Sequence, residues 1–229
     1  MSRVKILVEG QTEESFVNQV LYPHLIGLGV ILTPILLKTK RVKNRNRYER
    51  SLPGRRFKGG ISRYAPVKQD IRNVLRDQTA FCTTMIDFYG LPDDFPGMDN
   101  LPAGNSYDHV SHLESALADD IGTQRFRPFL VLHEYEALLF SNPVEIAKVF
   151  PDQNVLDPLT AIRRAFVSPE DINQGSDTHP AARIKKHVVG YKKVVHGTLI
   201  AQRIGLQQMR QTCPHFNDWI SWLESLAYN

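Results

Sequence analysis

The chain has 229 residues, 42% of them hydrophobic and 23% charged, enough for one compact domain, or one domain with a helical extension, around a real core. No apolar stretch nears the ~20 residues that span a bilayer, and no basic leader with an apolar run opens the chain. A membrane span and a secretory signal are therefore not expected, and the cytoplasm is the natural setting. The two cysteines, Cys82 and Cys213, give no disulfide framework and no CxxC zinc site, and Cys82 sits in an apolar run where a free buried thiol is usual.

The net charge of +4 hides an asymmetry. Residues 40–64 hold ten Lys and Arg, among them Lys43, Arg45, Arg47, Arg55, Arg56 and Lys58, against Glu49 alone, so the rest of the chain is net acidic.

In chain order, Val4–Val8 is short, apolar and β-branched, as a buried strand is. It stops at Glu9-Gly10, and Gly10 suits a tight turn and the close approach of a ligand. A helix follows, with Thr12 as a candidate N-cap and Phe16, Val17, Val20 and Leu21 at helical spacing. Pro23 should end or kink it. Residues 30–37 read as a second strand. The basic segment comes next, broken by Pro53-Gly54 and Gly59-Gly60, and reads as a loop or hairpin. Residues 67–75 suggest a short helix, and 80–86 a third buried strand containing Cys82, closed by Asp87. Residues 91–104 form a Pro-, Gly- and Asp-rich loop. Val110, Leu113, Leu117 and Ile121 predict a helix, and 128–132 a fourth strand, ending at His133-Glu134. Beyond it the pattern is helical, closing on a stripe of Phe216, Trp219, Leu223 and Leu226.

Continuously apolar strands separated by helices predict an α/β fold, a parallel sheet covered on both faces. We expect residues 1–142 to form this α/β domain and 143–229 a mostly helical extension packed on it. In such a sheet the carboxyl ends of the strands share one edge, where ligands bind. Three strands end in an acid: Glu9, Asp87 and Glu134. Glu13, four residues past Glu9, can reach the same place, and Glu136 is a further candidate. Oxygen-rich clusters of this kind suit Mg²⁺ or Mn²⁺. In the basic segment Arg can pair bidentately with phosphate, and Tyr48, Phe57 and Tyr64 are interleaved as stacking groups, as in a nucleic-acid-binding loop. Of the histidines, His133 is the one expected nearest the acids. The polar run 173–180 before Arg183, Lys185 and Lys186 reads as a helix-capping loop.

LVEGQTEESFV, MIDFYGLP, HEYEALLFS, INQG with THPAARI, YKKVVHGTLIAQRIGL and CPHF, in this order, resemble a bacterial Toprim-like family, the domain of unknown function 4276, over nearly the whole chain. The resemblance implies a small parallel sheet flanked by helices, as in topoisomerases, bacterial primases and nucleases of the overcoming-lysogenisation-defect type. It implies a glutamate after the first strand, matched by Glu9, and, in the nuclease branch, a second acid four residues on, matched by Glu13. It also implies an Asp-x-Asp after a later strand; Asp87 fills the first position and Tyr89 stands in the second, so either Glu134 or Glu136 compensates or one metal suffices. An ABC-type ATPase partner and a role as an effector in anti-phage defence are further implications.

The expected function is Mg²⁺-dependent hydrolysis of DNA or RNA phosphodiesters, with catalytic Glu9, Glu13, Asp87 and Glu134, metal ligands Glu9, Asp87, Glu134 and Glu136, and the basic segment on the backbone. The alternative is a catalytically weak Toprim-derived binding or regulatory subunit of an ABC-type ATPase complex.

Overall fold

The computed structural model describes residues 1–37, 61–172 and 178–228. Within them β1 (Ser2–Val8), β2 (Val30–Leu36), β3 (Ala80–Asp87), β4 (Phe126–Arg127) and β5 (Leu130–Val131) form one parallel sheet. Its order is β2-β1-β3-β4, and β5 continues the β4 line along β3. The single strand expected over 128–132 is thus split. Pro128 has no N–H for the ladder, and the Thr84 hydroxyl fills the gap, donating to the Phe129 carbonyl (3.0 Å) and accepting its N–H (2.9 Å). Pro34 is tolerated because, among the described residues, β2 is an edge strand paired only with β1.

The chain steps from β1 outward to β2, then crosses back over β1 to β3 and on to β4. Right-handed crossovers in opposite directions must use opposite faces of the sheet, and the core clusters obey this. On one face α1 (Gln11–Phe16) and α2 (Tyr22–Ile26) bury Phe16, Val17, Leu21 and Leu25 against Val4, Ile6 and Val8. On the other, α3 (Tyr64–Val74) and α4 (Ser106–Ile121) bury Val67, Ile71, Val110 and Leu113 against Leu7, Cys82 and Ile86.

α1 and α2 are one continuous helix. Gly10, not Thr12, occupies its N-cap position; Thr12 is buried inside the first turn. Pro23 does not end it. A wider π turn over Val17–Leu21 immediately precedes the proline, where a tight helix would lose a hydrogen bond and clash with the ring.

The second half is helical: α5 (Pro143–Val149), α6 (Leu156–Arg164), α7 (Pro180–His187), α8 (Thr198–Ile204), α9 (Leu206–Thr212) and α10 (Pro214–Ser225). It joins the core of the first face. Trp219 stacks on Phe129 (centroids 4.2 Å apart, 5° between planes) and donates its indole N–H to Thr83 (3.0 Å). Among the described residues no helix is long and apolar enough to cross a membrane.

Candidate functional site

The strand order places a topological switch between β1 and β3, where ligands of open α/β sheets bind. Glu9 follows β1 at that crevice and Asp87 ends β3 beside it. Gly90, in the 3₁₀ turn after Asp87, lies against Glu9: a Cβ there would stand 3.9 Å from both carboxylate oxygens. Glu13 occupies the first turn of α1, buried, and a Cβ on Gly10 would come within 3.2 Å of its carboxylate, close enough that the acid would have to shift by a few tenths of an ångström. The glycine therefore lets the acid fold back over the strand end.

Glu134 and Glu136 reach the same nest from the segment after β5. Asp87 accepts the Tyr135 N–H (3.1 Å), tying this segment to the end of β3. One Glu134 oxygen accepts the Ala181 N–H at the start of α7 and meets His179 Nδ1 at 2.7 Å. Lys193 Nζ donates to Glu134 (3.3 Å) and to the fully buried Glu136 (2.8 Å).

Among the described residues, five carboxylates thus share one crevice with the ammonium of Lys193, and their proton affinities are shifted accordingly. Burial, then the charge of Glu13, pushes Glu9 up to about 7. Burial also raises Glu13, and it raises Asp87 strongly, with Glu13, Glu9 and Glu134 adding to the effect on Asp87. Burial pushes Glu136 up to about 7 although Lys193 opposes it. Glu134 goes the other way: burial would raise it, but the His179 bond, Lys193 and the Ala181 N–H outweigh that. Burial disfavours the Lys193 ammonium, yet Glu136 and Glu134 hold it above the ordinary lysine range.

Hydrogen bonding separates the acids further. Glu9 Oε2 and Glu136 Oε1 are buried without a partner, a state that costs roughly 1–3 kcal/mol per neutral group and more when charged. As the side chains stand, no group of three or more His, Cys, Asp or Glu among the described residues is arranged to hold a metal ion. The donor chemistry nevertheless fits a hard divalent cation: buried, mutually repelling carboxylate oxygens, one of them orphaned, at a ligand-binding edge. Glu9, Glu13 and Asp87 fit it best, because Glu134 and Glu136 already have a cation in Lys193.

His133 lies close enough to Glu134 to feel its charge, but burial dominates and lowers its proton affinity. It is 1% exposed, holds the left-handed conformation (φ 65°), leaves Nδ1 without a partner and lies near Phe88 (centroids 6.5 Å). His179 takes the place expected for it, stacked with Tyr89 (centroids 6.1 Å, 26° between planes). Sequence reasoning missed Lys193 and His179, which are 59 and 45 residues from Glu134. The only signal for either was a place in the YKKVVHG and THPAARI motifs. Lys43, Arg45, Arg47, Arg55, Arg56 and Lys58, and residues 173–177 of the polar run, lie outside the described residues. Cys82 and Cys213 are buried free thiols, both pushed up to about 12 by burial, so neither is a nucleophile at neutral pH.

The model of the family described as "Domain of unknown function (DUF4276)" matches residues 8–224. The chain belongs to that family. It is the family to which the motifs point, and the match takes in both the strand-end acids and Lys193. Two solved structures of the C-terminal region of the Xanthomonas campestris pv. campestris OLD protein, one phased with iodine and one with mercury, are similar to this chain. They are 16% and 14% identical to it, cover 97% of it and 97% and 98% of their own chains, and give TM-scores of 0.39 and 0.38. No curated protein matches.

Proposed function

We infer that this member of the family is a metal-dependent nuclease that hydrolyses DNA or RNA phosphodiesters, with Mg²⁺ or Mn²⁺ held by Glu9, Glu13 and Asp87. The observation that carries the reading is the orphaned Glu9 carboxylate oxygen, buried among repelling acids at the switch point of the sheet. A bound divalent ion supplies positive charge to the phosphate oxygens and a water of lowered pKa. The chain's own groups do the rest. Glu13 would accept a proton through the carboxylate oxygen that does not hold the ion, a role that its burial-raised proton affinity suits. Lys193, with 37% of its side chain exposed, can turn from Glu134 toward an anionic oxygen of the substrate.

The charge of residues 40–64 supports the same reading. The chain enters that segment from the catalytic edge: the Leu37 N–H donates to the carbonyl of Val8, the residue before Glu9 (2.9 Å). A cationic segment starting there can hold the backbone without reading sequence. The ABC-type ATPase partner and the anti-phage role belong to the proposal through the family resemblance, and co-purification with such an ATPase is their test.

One observation favours the alternative of a catalytically weak binding subunit: Lys193 already neutralises two of the acids, and Tyr89 stands where a further acid is expected. A cleavage assay on plasmid, single-stranded DNA and tRNA decides. With Mg²⁺ or Mn²⁺ the parent cuts at least one substrate, and chelation or Glu9→Gln stops it. No metal-dependent cut on any substrate leaves the binding subunit.

A further inference from the structure

From residue 178 to 217 the chain has no Asp or Glu, although everything outside residues 40–64 is net acidic. Within that span the excursion from Ala181 to Lys193 leaves and rejoins the same carboxylate. The Ala181 N–H and Lys193 Nζ both end on Glu134. Its far end is tied down as well: Val189 donates to and accepts from the Gln153 side chain (2.8 and 3.1 Å). Every Asp, Glu, Lys or Arg in the excursion is a cation. Lys193 faces the acids, and Arg183 is spent on the Thr178 carbonyl (2.6 Å) and the Phe166 ring (5.5 Å). Lys185, Lys186 and Lys192 are exposed. Among the described residues no carboxylate pairs with any of the three.

We propose that this excursion is a second track for the phosphate backbone of nucleic acid, separate from residues 40–64 and leading straight into the carboxylate nest. It rests on the nucleic-acid part of the reading above. At a helical rise of about 1.5 Å per residue, Lys185 and Lys186 stand only ~6–8 Å along α7 from the residue that bonds Glu134. Lys192 neighbours the lysine inside the nest. Cations therefore follow both points at which the excursion meets Glu134, Lys185 and Lys186 along α7 from Ala181 and Lys192 beside Lys193. Because Glu134 and Gln153 pin the backbone, the charges are held in place before the ligand arrives, which limits the ordering cost of binding.

The test is binding of a short fluorescein-labelled DNA single strand, and of the matching duplex, to the full chain in chelator across a salt series. Without divalent metal the readout does not depend on cleavage. Replacing Lys185, Lys186 and Lys192 together by Ala should flatten the log–log salt slope by about 2 to 3 units, near 0.7–0.9 per lost phosphate contact. Replacing the exposed Arg72 and Arg76 of the opposite face, the charge-loss control, should leave the slope alone. All three lysines are exposed, so the melting temperature should hold; Gln in place of Ala gives the same loss of slope if Ala disturbs α7. A triple variant no flatter than the control overturns the track, and that face then solvates the protein or meets an acidic protein. A parent with no salt-dependent binding overturns it too. If the slope falls but no substrate is ever cut, the nuclease reading fails while the track stands.

Discussion

The acids under α10 and the acids at the sheet edge differ in what their oxygens do. Glu170, 2% exposed, spends both: one accepts the Phe216 N–H (2.9 Å), the other the His215 N–H (3.1 Å) and the Tyr107 hydroxyl (3.2 Å). It closes the N-terminus of α10, where a helix offers unsatisfied donors and a favourable dipole. Its neighbour Glu114 accepts the Leu130 N–H (2.7 Å) and meets His215 (3.0 Å), joining α4, the split strand and α10. In the nest at the sheet edge Glu9 and Glu136 each keep a buried oxygen without a partner. Burial raises Glu170 and Glu9 alike, so proton affinity does not tell the groups apart. Hydrogen-bond satisfaction does: Glu170 spends both oxygens on the fold, and Glu9 and Glu136 each leave one unspent.

The sharpest way to break that contrast is Glu9→Gln. It removes a repelled charge and keeps the shape, so cleavage should fall by two or more orders of magnitude, as when charge-stabilising groups are lost from an active site. The melting temperature should hold or rise. A Glu9→Gln protein that cuts like the parent, or melts far lower, erases the distinction. Glu170→Ala should do the reverse. It strands two buried N–H groups, costing roughly 2–4 kcal/mol, which for a chain of this size lowers the melting temperature by about 5–15 °C. The folded fraction should cut normally.

Lys193→Met is the next largest. It leaves Glu136 buried without its cation, at a cost of about 2 kcal/mol, discounted from a fully buried pair because Lys193 is partly exposed. Adding Glu136→Gln should recover most of the loss, and thermal melts of the single and double variants would show this as non-additivity. Simple addition would mean that the lysine does not compensate the acid.

The smallest effect concerns pH. Burial pulls His215 down, but the Glu114 hydrogen bond and charge, with Glu170, raise it above its ordinary value. A raised folded-state pKa gives stability that is complete below the unfolded value and is lost as pH rises through the folded one. Glu114→Gln should therefore lower the His215 pKa in an NMR titration and remove that slope from stability against pH. An unmoved titration would show that Glu114 is not its partner.

How far all this could be read from the sequence follows from the range of the forces. β1 and β3 were legible because strands covered on both faces are apolar along nearly their whole length, β2 because its Val30-Ile31-Leu32 run is apolar and β-branched, and Glu9 and Asp87 because an acid ending such a run stands out. The split at Pro128 was not, since it needed the Thr84 hydroxyl from a neighbouring strand. The persistence of the helix past Pro23 depended on a π turn that no spacing announces. The partners of Glu134 were hidden in the same way. Lys193 and His179 come from the helical half, and only tertiary packing brings them to the strand ends.

On the reading proposed above, Glu9, Glu13 and Asp87 take a divalent metal. Crystals soaked in Mn²⁺, with data at the manganese absorption edge, test it most directly. We predict an anomalous peak bounded by these three carboxylates, lost in Glu9→Gln crystals. A crevice without a peak, with Lys193 still paired to Glu134 and Glu136, would contradict the account.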